Sequence, residues 1–293
     1  MRCKAFAPGH ITGFFEIFDA PGDPLRKGSR GAGVNLSLGV LTAVQVARTG
    51  SRAVDIRLNG RKAPAETTRL AVEGLLGRRR LRVDVRSDVQ LPVGQGLGMS
   101  AAGALSASLA LSSALGLPRT LSAAGRAAHI AEVRARTGLG DVAGQVRGGW
   151  EVRLRPGFPP FGLVDGLLAP GRRIALCVSG GPVETKRVLR DKAARRLVSR
   201  VGRLCMEGLL RRPDLETFFR LSRLFSRRTG LASGEALDLA DEITDRRLGL
   251  ASVSMIGNCV FAVGDLDAIT ALMKGRGRVI TCATDQGGAR AVA

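Results

Sequence analysis

The strongest chemical signal in the chain is the run Leu91-Pro-Val-Gly-Gln-Gly-Leu-Gly-Met-Ser-Ala-Ala, residues 91–102. Gly94, Gly96 and Gly98 alternate and lead straight into small residues and leucines at helical spacing, beginning near Ser100. Glycines let a backbone bend through positive dihedrals and approach a ligand closely. The helix that follows offers unpaired N–H groups and the positive end of its dipole, a ready phosphate site. No Gly-Lys-Ser/Thr follows, which excludes a Walker loop, and the GxGxG spacing is a poor dinucleotide fingerprint. The plain alternative is a glycine-rich turn capped by Ser100.

A second cluster lies downstream. His129 and Glu132 are three apart on a predicted helix, so both can face one cleft. Asp141 follows in Thr137-Gly-Leu-Gly-Asp, where flanking glycines let a carboxylate meet a substrate without obstruction. Phosphoryl transfer needs a metal to neutralise nucleotide oxygens and a group to orient or deprotonate the accepting hydroxyl. Taken alone, Glu132 also reads as a surface glutamate and Asp141 as a loop cap. Their shared position after the glycine loop favours the chemical reading.

These residues need a scaffold. Lys4–Phe6 reads as a first strand closed by a Pro8-Gly9 turn, Gly33–Val46 as further strand, and Leu81–Val85 as a half-buried strand by its alternation. Residues 100–116 read as a helix ending at Gly116, and a second helix runs from an N-cap at Ser122 to Arg136. Gly138–Gly149 reads as a glycine-rich loop before a strand at Trp150–Leu154. The Pro- and Gly-rich stretch at 156–171 suggests a boundary between units 1–165 and 166–293. Beyond it come a strand at Arg173–Val178, helices near 186–211, 214–228 and 234–248, and a strand pair around Ser252–Val263. A short helix near 266–274 and a strand at 278–283 complete the chain. The alternation implies an α+β layered fold with partly antiparallel sheets.

Composition narrows the classes. At 293 residues and 45% hydrophobic, the chain can bury a real core, and it has no run of 18 apolar residues to span a membrane. The N-terminus lacks a signal-peptide core. Five scattered cysteines without a CxxC pair read as buried thiols in a reducing cytoplasm, so the expected location is cytoplasmic. The net charge of +20 comes mostly from arginine and would attract any polyanion. Aromatic residues are only 4% and tyrosine is absent, poor material for stacking on bases, so no nucleic-acid partner is expected.

The pattern PxGxGLGxSAA resembles the nucleotide-binding loop of the galactokinase, homoserine kinase, mevalonate kinase and phosphomevalonate kinase (GHMP) superfamily. Ala7-Pro8-Gly9 resembles its first motif, and Ser254-Met-Ile-Gly-Asn its third. The resemblance implies an N-terminal half like ribosomal protein S5 domain 2, a ferredoxin-like C-terminal half, and ATP with substrate in the cleft between. It implies that Pro92, Gly94, Gly96, Leu97, Gly98, Met99, Ser100 and Ala101 bind ATP. Ser100 and Glu132 would hold Mg2+, and Asp141 would act as base. Two departures stand out: His10 follows the first motif where lysine or arginine is usual, and Met99 precedes the loop serine. The cation expected beside Asp141 is therefore out of place, with Lys4 or an arginine as a substitute.

Within the superfamily, APGHITGFFE, GSRGAGVNLSLG, GLGMSAAGALS, AHIAEV with TGLGDV, and SMIGN look most like the archaeal pantoate kinase family. That resemblance implies ATP-dependent phosphorylation of pantoate, a small hydroxy acid, on the way to coenzyme A. A carboxylate substrate calls for a cation; Arg153 is the preferred clamp and Arg30 the reserve, with Ser29, His129 and Thr185 as polar contacts. Open alternatives are a related kinase acting on mevalonate, homoserine or shikimate, and an S5-like nucleic-acid-binding protein. A homodimer is expected on general grounds.

Overall fold

Strand-forming runs near the N-terminus build two long antiparallel strands, β1 (Arg2–Phe18) and β2 (Gly28–Ala47). The computed structural model describes residues 1–20, 22–48, 50–117, 119–181 and 192–292. β1 does not stop at Pro8-Gly9 as the sequence suggested. The missing proline N–H is absorbed by a register shift between Pro8 and Gly9, opposite the small Gly39, and the strand continues. This continuation carries His10 and Thr12 under the glycine loop.

The first sheet runs β12–β1–β2–β5–β3–β4 and includes β3 (Ala53–Leu58), β4 (Arg61–Lys62), β5 (Arg82–Val89) and β12 (Arg290–Val292). At the other end of β2 it adds β6 (Trp150–Arg155) and then β7 (Leu163–Gly166). Against it packs α2 (Met99–Ala114), flanked by α1 (Glu66–Leu76) and α3 (Leu121–Ala135). Helix α2 is buried all round because it is built of alanine, serine and leucine, small enough to fit between sheet and neighbouring helices. The cap of α3 is Thr120, whose Oγ1 accepts from the Ala123 N–H at 3.1 Å, and not Ser122. Within the expected loop 138–149 lies a short helix, α4 (Asp141–Arg147).

A second, antiparallel sheet has the order β11–β8–β10–β9, from β8 (Arg173–Val178), β9 (Gly249–Val253), β10 (Cys259–Gly264) and β11 (Arg278–Ala283). Helices α7 (Gly234–Asp245) and α8 (Leu266–Met273) cover it. The amphipathic helices α5 (Lys192–Arg211) and α6 (Leu215–Thr229) pack on β1, and α6 also reaches β9. Phe14, Trp150, Phe218, Phe219 and Phe261 form one aromatic cluster drawn from both sheets and α6. β7 of the first sheet spans the expected division at 165, and the chain returns at β12 to pair with β1. No helix among the described residues is long and apolar enough to cross a membrane.

Candidate active site

A cavity of about 350 Å³ opens between the glycine loop, β1, the start of β2, α3, residues 137–141 and Met255-Ile256. Gly94, Gly96, Leu97, Gly98, Met99, Ser100 and Ala101 line it; Pro92 does not. Gly98 supplies the residue before α2, left-handed at φ +67° and without any side-chain cap. The first N–H groups of the helix are thereby left for a ligand. Ser100 lies inside the first turn instead of capping it. The residue is exposed, and its hydroxyl sits 3.0 Å from Thr67 Oγ1.

Three distant segments clamp the loop. The His10 backbone N–H donates to the Leu97 carbonyl at 3.0 Å, and Gln145 Nε2 donates to the Gly98 carbonyl at 3.0 Å. Ser254 Oγ donates to the Gln95 carbonyl at 3.0 Å, so the 254–258 motif acts as a brace for the loop. Space is tight: a Cβ on Gly96 would lie 2.8 Å from Ser254 Oγ.

Facing the loop are two carboxylates. Asp141 begins α4, where the helix dipole favours an anion, and its side chain is 24% exposed. Glu132, on α3, is buried, lines the cavity, and lies against Asp141 and the Val142 backbone N–H. Both crowd Gly138, where a Cβ would fall 2.7 Å from Asp141 Oδ2. Their protonation is driven apart. Burial, and then the neighbouring Asp141 charge, push the Glu132 carboxyl well above its ordinary range. Burial alone would raise Asp141 too, but the hydrogen bond and charge of His10 outweigh it and hold that carboxyl low. Carboxylates split in this way take different roles.

The partner of Asp141 is His10, not Lys4. His10 Nδ1 lies 2.7 Å from Asp141 Oδ1, and its Nε2 lies 3.0 Å from Glu151 Oε1. Lys4 is exposed on the open face of the first sheet, beside Arg57 and Arg86. Burial would lower the imidazole, yet the two carboxylates overcome this and raise it. The signal for His10 was its position directly after Ala-Pro-Gly. Glu151 went unnoticed, although it shares a strand face with Arg153 by simple alternation.

Of the expected substrate contacts, Ser29 lines the cavity. Arg153 lies behind it, 2% exposed, paired through Nη1 to Glu151 and with Nε and Nη2 unpartnered. A Cβ on Gly140, which lines the cavity, would sit 2.7 Å from Arg153 Nε. Arg30 turns instead to Glu16, at 3.4 Å. His129 is kept out of the cavity: its ring stacks on Phe158, and Nε2 lies 3.1 and 3.2 Å from the Lys27 and Pro24 carbonyls. Burial brings its pKa down to about 4. It braces the segment that leads into Ser29. Thr185 lies outside the described residues.

A buried carboxylate set against a second carboxylate is costly unless a proton or a cation meets it. Hard oxygen donors at Glu132 and Ser100 beside a phosphate-binding helix end suit Mg2+, which uses few protein carboxylates and keeps substrate phosphates as ligands. Among the described residues no group of three or more His, Cys, Asp or Glu side chains could hold a metal by itself.

Residues 66–149 match the model for the GHMP kinases N terminal domain. A homoserine kinase from Cytophaga hutchinsonii superimposes with a TM-score of 0.73 over 99% of this chain and 97% of its own, at 17% identity, which shows the fold alone. The fold is thus that of a GHMP kinase. A solved structure described as a phosphotransferase related to the CoA biosynthesis pathway has a TM-score of 0.88 at 33% identity, covering 100% of this chain and 99% of that one. Pantoate kinase from Thermococcus kodakarensis is 38% identical over 90% of this chain and 88% of its own length. That from Methanocaldococcus jannaschii is 32% identical over 90% and 93%. The chain belongs to the pantoate kinase family.

Proposed function

We propose that this chain transfers the γ-phosphoryl group of ATP to the 4-hydroxyl of pantoate, giving 4-phosphopantoate and ADP. The observation that carries the reading is a single cavity with the uncapped start of α2 on one side and Asp141 on the other. The free N–H groups of α2 and the glycine loop bind the nucleotide phosphates. Asp141 orients the accepting hydroxyl and takes its proton at Oδ2 as the new oxygen–phosphorus bond forms and the bond to the ADP oxygen breaks. Glu132 and Ser100 would hold Mg2+, which neutralises charge on the phosphate oxygens when bound. No covalent enzyme intermediate is needed, because in-line transfer asks for positioning and electrostatics. For the pantoate carboxylate, Ser29 offers a hydroxyl in the cavity, and Arg153 has two unpartnered nitrogens behind Gly140.

The test is ADP release by purified protein with Mg-ATP and pantoate, mevalonate, homoserine, shikimate or no acceptor. Turnover with pantoate well above all others is expected. Turnover on another acceptor would keep the kinase and discard pantoate as its substrate. Silence on every acceptor, with salt-sensitive RNA binding, would replace a kinase with an S5-like polyanion binder.

A further inference from the structure

Where the superfamily resemblance leads one to expect lysine or arginine beside the base, this site has a histidine whose surroundings define its charge. His10 is fully buried on β1, with Asp141 against Nδ1 at 2.7 Å and Glu151 against Nε2 at 3.0 Å. An ionised carboxylate only accepts hydrogen bonds, and neutral imidazole has a single N–H to give. Acceptors on both ring nitrogens therefore call for two N–H groups on the ring. Glu151 in turn accepts from Nη1 of Arg153. Asp141, His10, Glu151 and Arg153 thus alternate in sign along one path, buried from His10 inward and partly exposed at Asp141, and their charges cancel. Glu132 stands outside this pairing and faces the cavity.

The geometry points to His10 as a buried imidazolium that takes the place of the expected lysine or arginine, a positioning residue that holds Asp141 by Oδ1 and leaves Oδ2, on the Gly138 and Glu132 side, for the accepting hydroxyl. This rests on the reading of Asp141 as the group that receives the hydroxyl proton. A flat ring with donors on opposite edges bridges two carboxylates in a fixed direction, which a flexible ammonium does less rigidly. Room for the ring comes from two glycines: a Cβ on Gly33 would lie 2.6 Å from Nε2, and one on Gly144 2.7 Å from it. The backbone of the same residue holds the glycine loop through Leu97. His10 thereby ties the position of the base to that of the phosphate site.

The chain has only two histidines, so imidazole 15N NMR of the wild-type protein near pH 8 reads each ring. One ring with both nitrogens protonated, assigned to His10, is expected beside a neutral His129, whose Nδ1 has no partner. Two neutral rings would overturn the charge. In kinetics, His10→Asn should lower kcat by about tenfold to a hundredfold with little change in KM for ATP or pantoate, and His10→Lys should recover part of the loss. Unchanged kcat in His10→Asn, or a loss confined to KM, would overturn the positioning role. If the Asn variant does not fold, His10→Lys decides: kcat within about tenfold of wild type supports the role. A folded Lys variant as inactive as Asp141→Asn sinks it. Failure of the pantoate kinase reading itself would appear differently, as a wild-type protein that transfers nothing to pantoate.

Discussion

The two walls of the cavity are built in different ways. The phosphate wall is local: one stretch of twelve residues supplies the glycines, the turn and the helix start. The carboxylate wall is assembled from β1, α3, α4 and β6, with His10 reaching 131 residues along the chain to Asp141 and 141 to Glu151. A local wall depends on backbone dihedrals, whereas an assembled wall depends on buried charges cancelling. Damage to the first should therefore appear mainly in nucleotide binding. Damage to the second should appear in stability and in the chemical step.

Arg153→Met breaks the assembled wall most severely. It leaves Glu151 buried against His10 alone, and losing one partner of a buried pair costs about 3–5 kcal/mol. Urea unfolding should show a loss of that order. A loss below ~1 kcal/mol would mean that water reaches Glu151 and the path is not truly buried.

His129 sharpens the comparison through pH. Its native pKa of about 4 lies below the ordinary 6.5, so between these values the unfolded chain binds the proton and the native one does not. Native stability should then fall as pH drops from 6.5 towards 4, by roughly 3 kcal/mol from this residue. His129→Gln should flatten that slope in melting curves. An unchanged slope would place the acid sensitivity elsewhere.

On the local wall, Gly98→Ala forces an L-residue to φ +67° and brings its Cβ to 3.0 Å from Gln145 and His10. Left-handed strain of about 1–2 kcal/mol should raise the KM for ATP around tenfold, with a smaller effect on kcat. Equal losses in KM and kcat would show that the walls are not separable. The smallest effect is expected at Lys4, exposed and remote from the site: Lys4→Ala should change stability by less than about 0.5 kcal/mol and leave turnover intact.

The same contrast explains what the sequence revealed. Gly94, Gly96, Gly98, Ser100, Glu132 and Asp141 were legible because short spacing set their types, and the motifs at 7–9 and 254–258 fixed the α+β GHMP kinase architecture. The His10–Asp141–Glu151–Arg153 path was not, because no spacing reports which distant side chains meet. Helix α4 was hidden by the glycines around it, and the continuation of β1 by Pro8-Gly9, which usually marks a turn. His129 shares a helix with Glu132, but three positions are enough to turn it to the 24–27 segment and out of the cavity.

The most direct measurement compares phosphoryl transfer to pantoate by wild type and Asp141→Asn, with ATP affinity and melting temperature recorded on the same samples. The account predicts intact folding and ATP binding, and a kcat lower by about 10²–10⁴-fold. A variant that binds ATP and still turns over pantoate at the wild-type rate would contradict it.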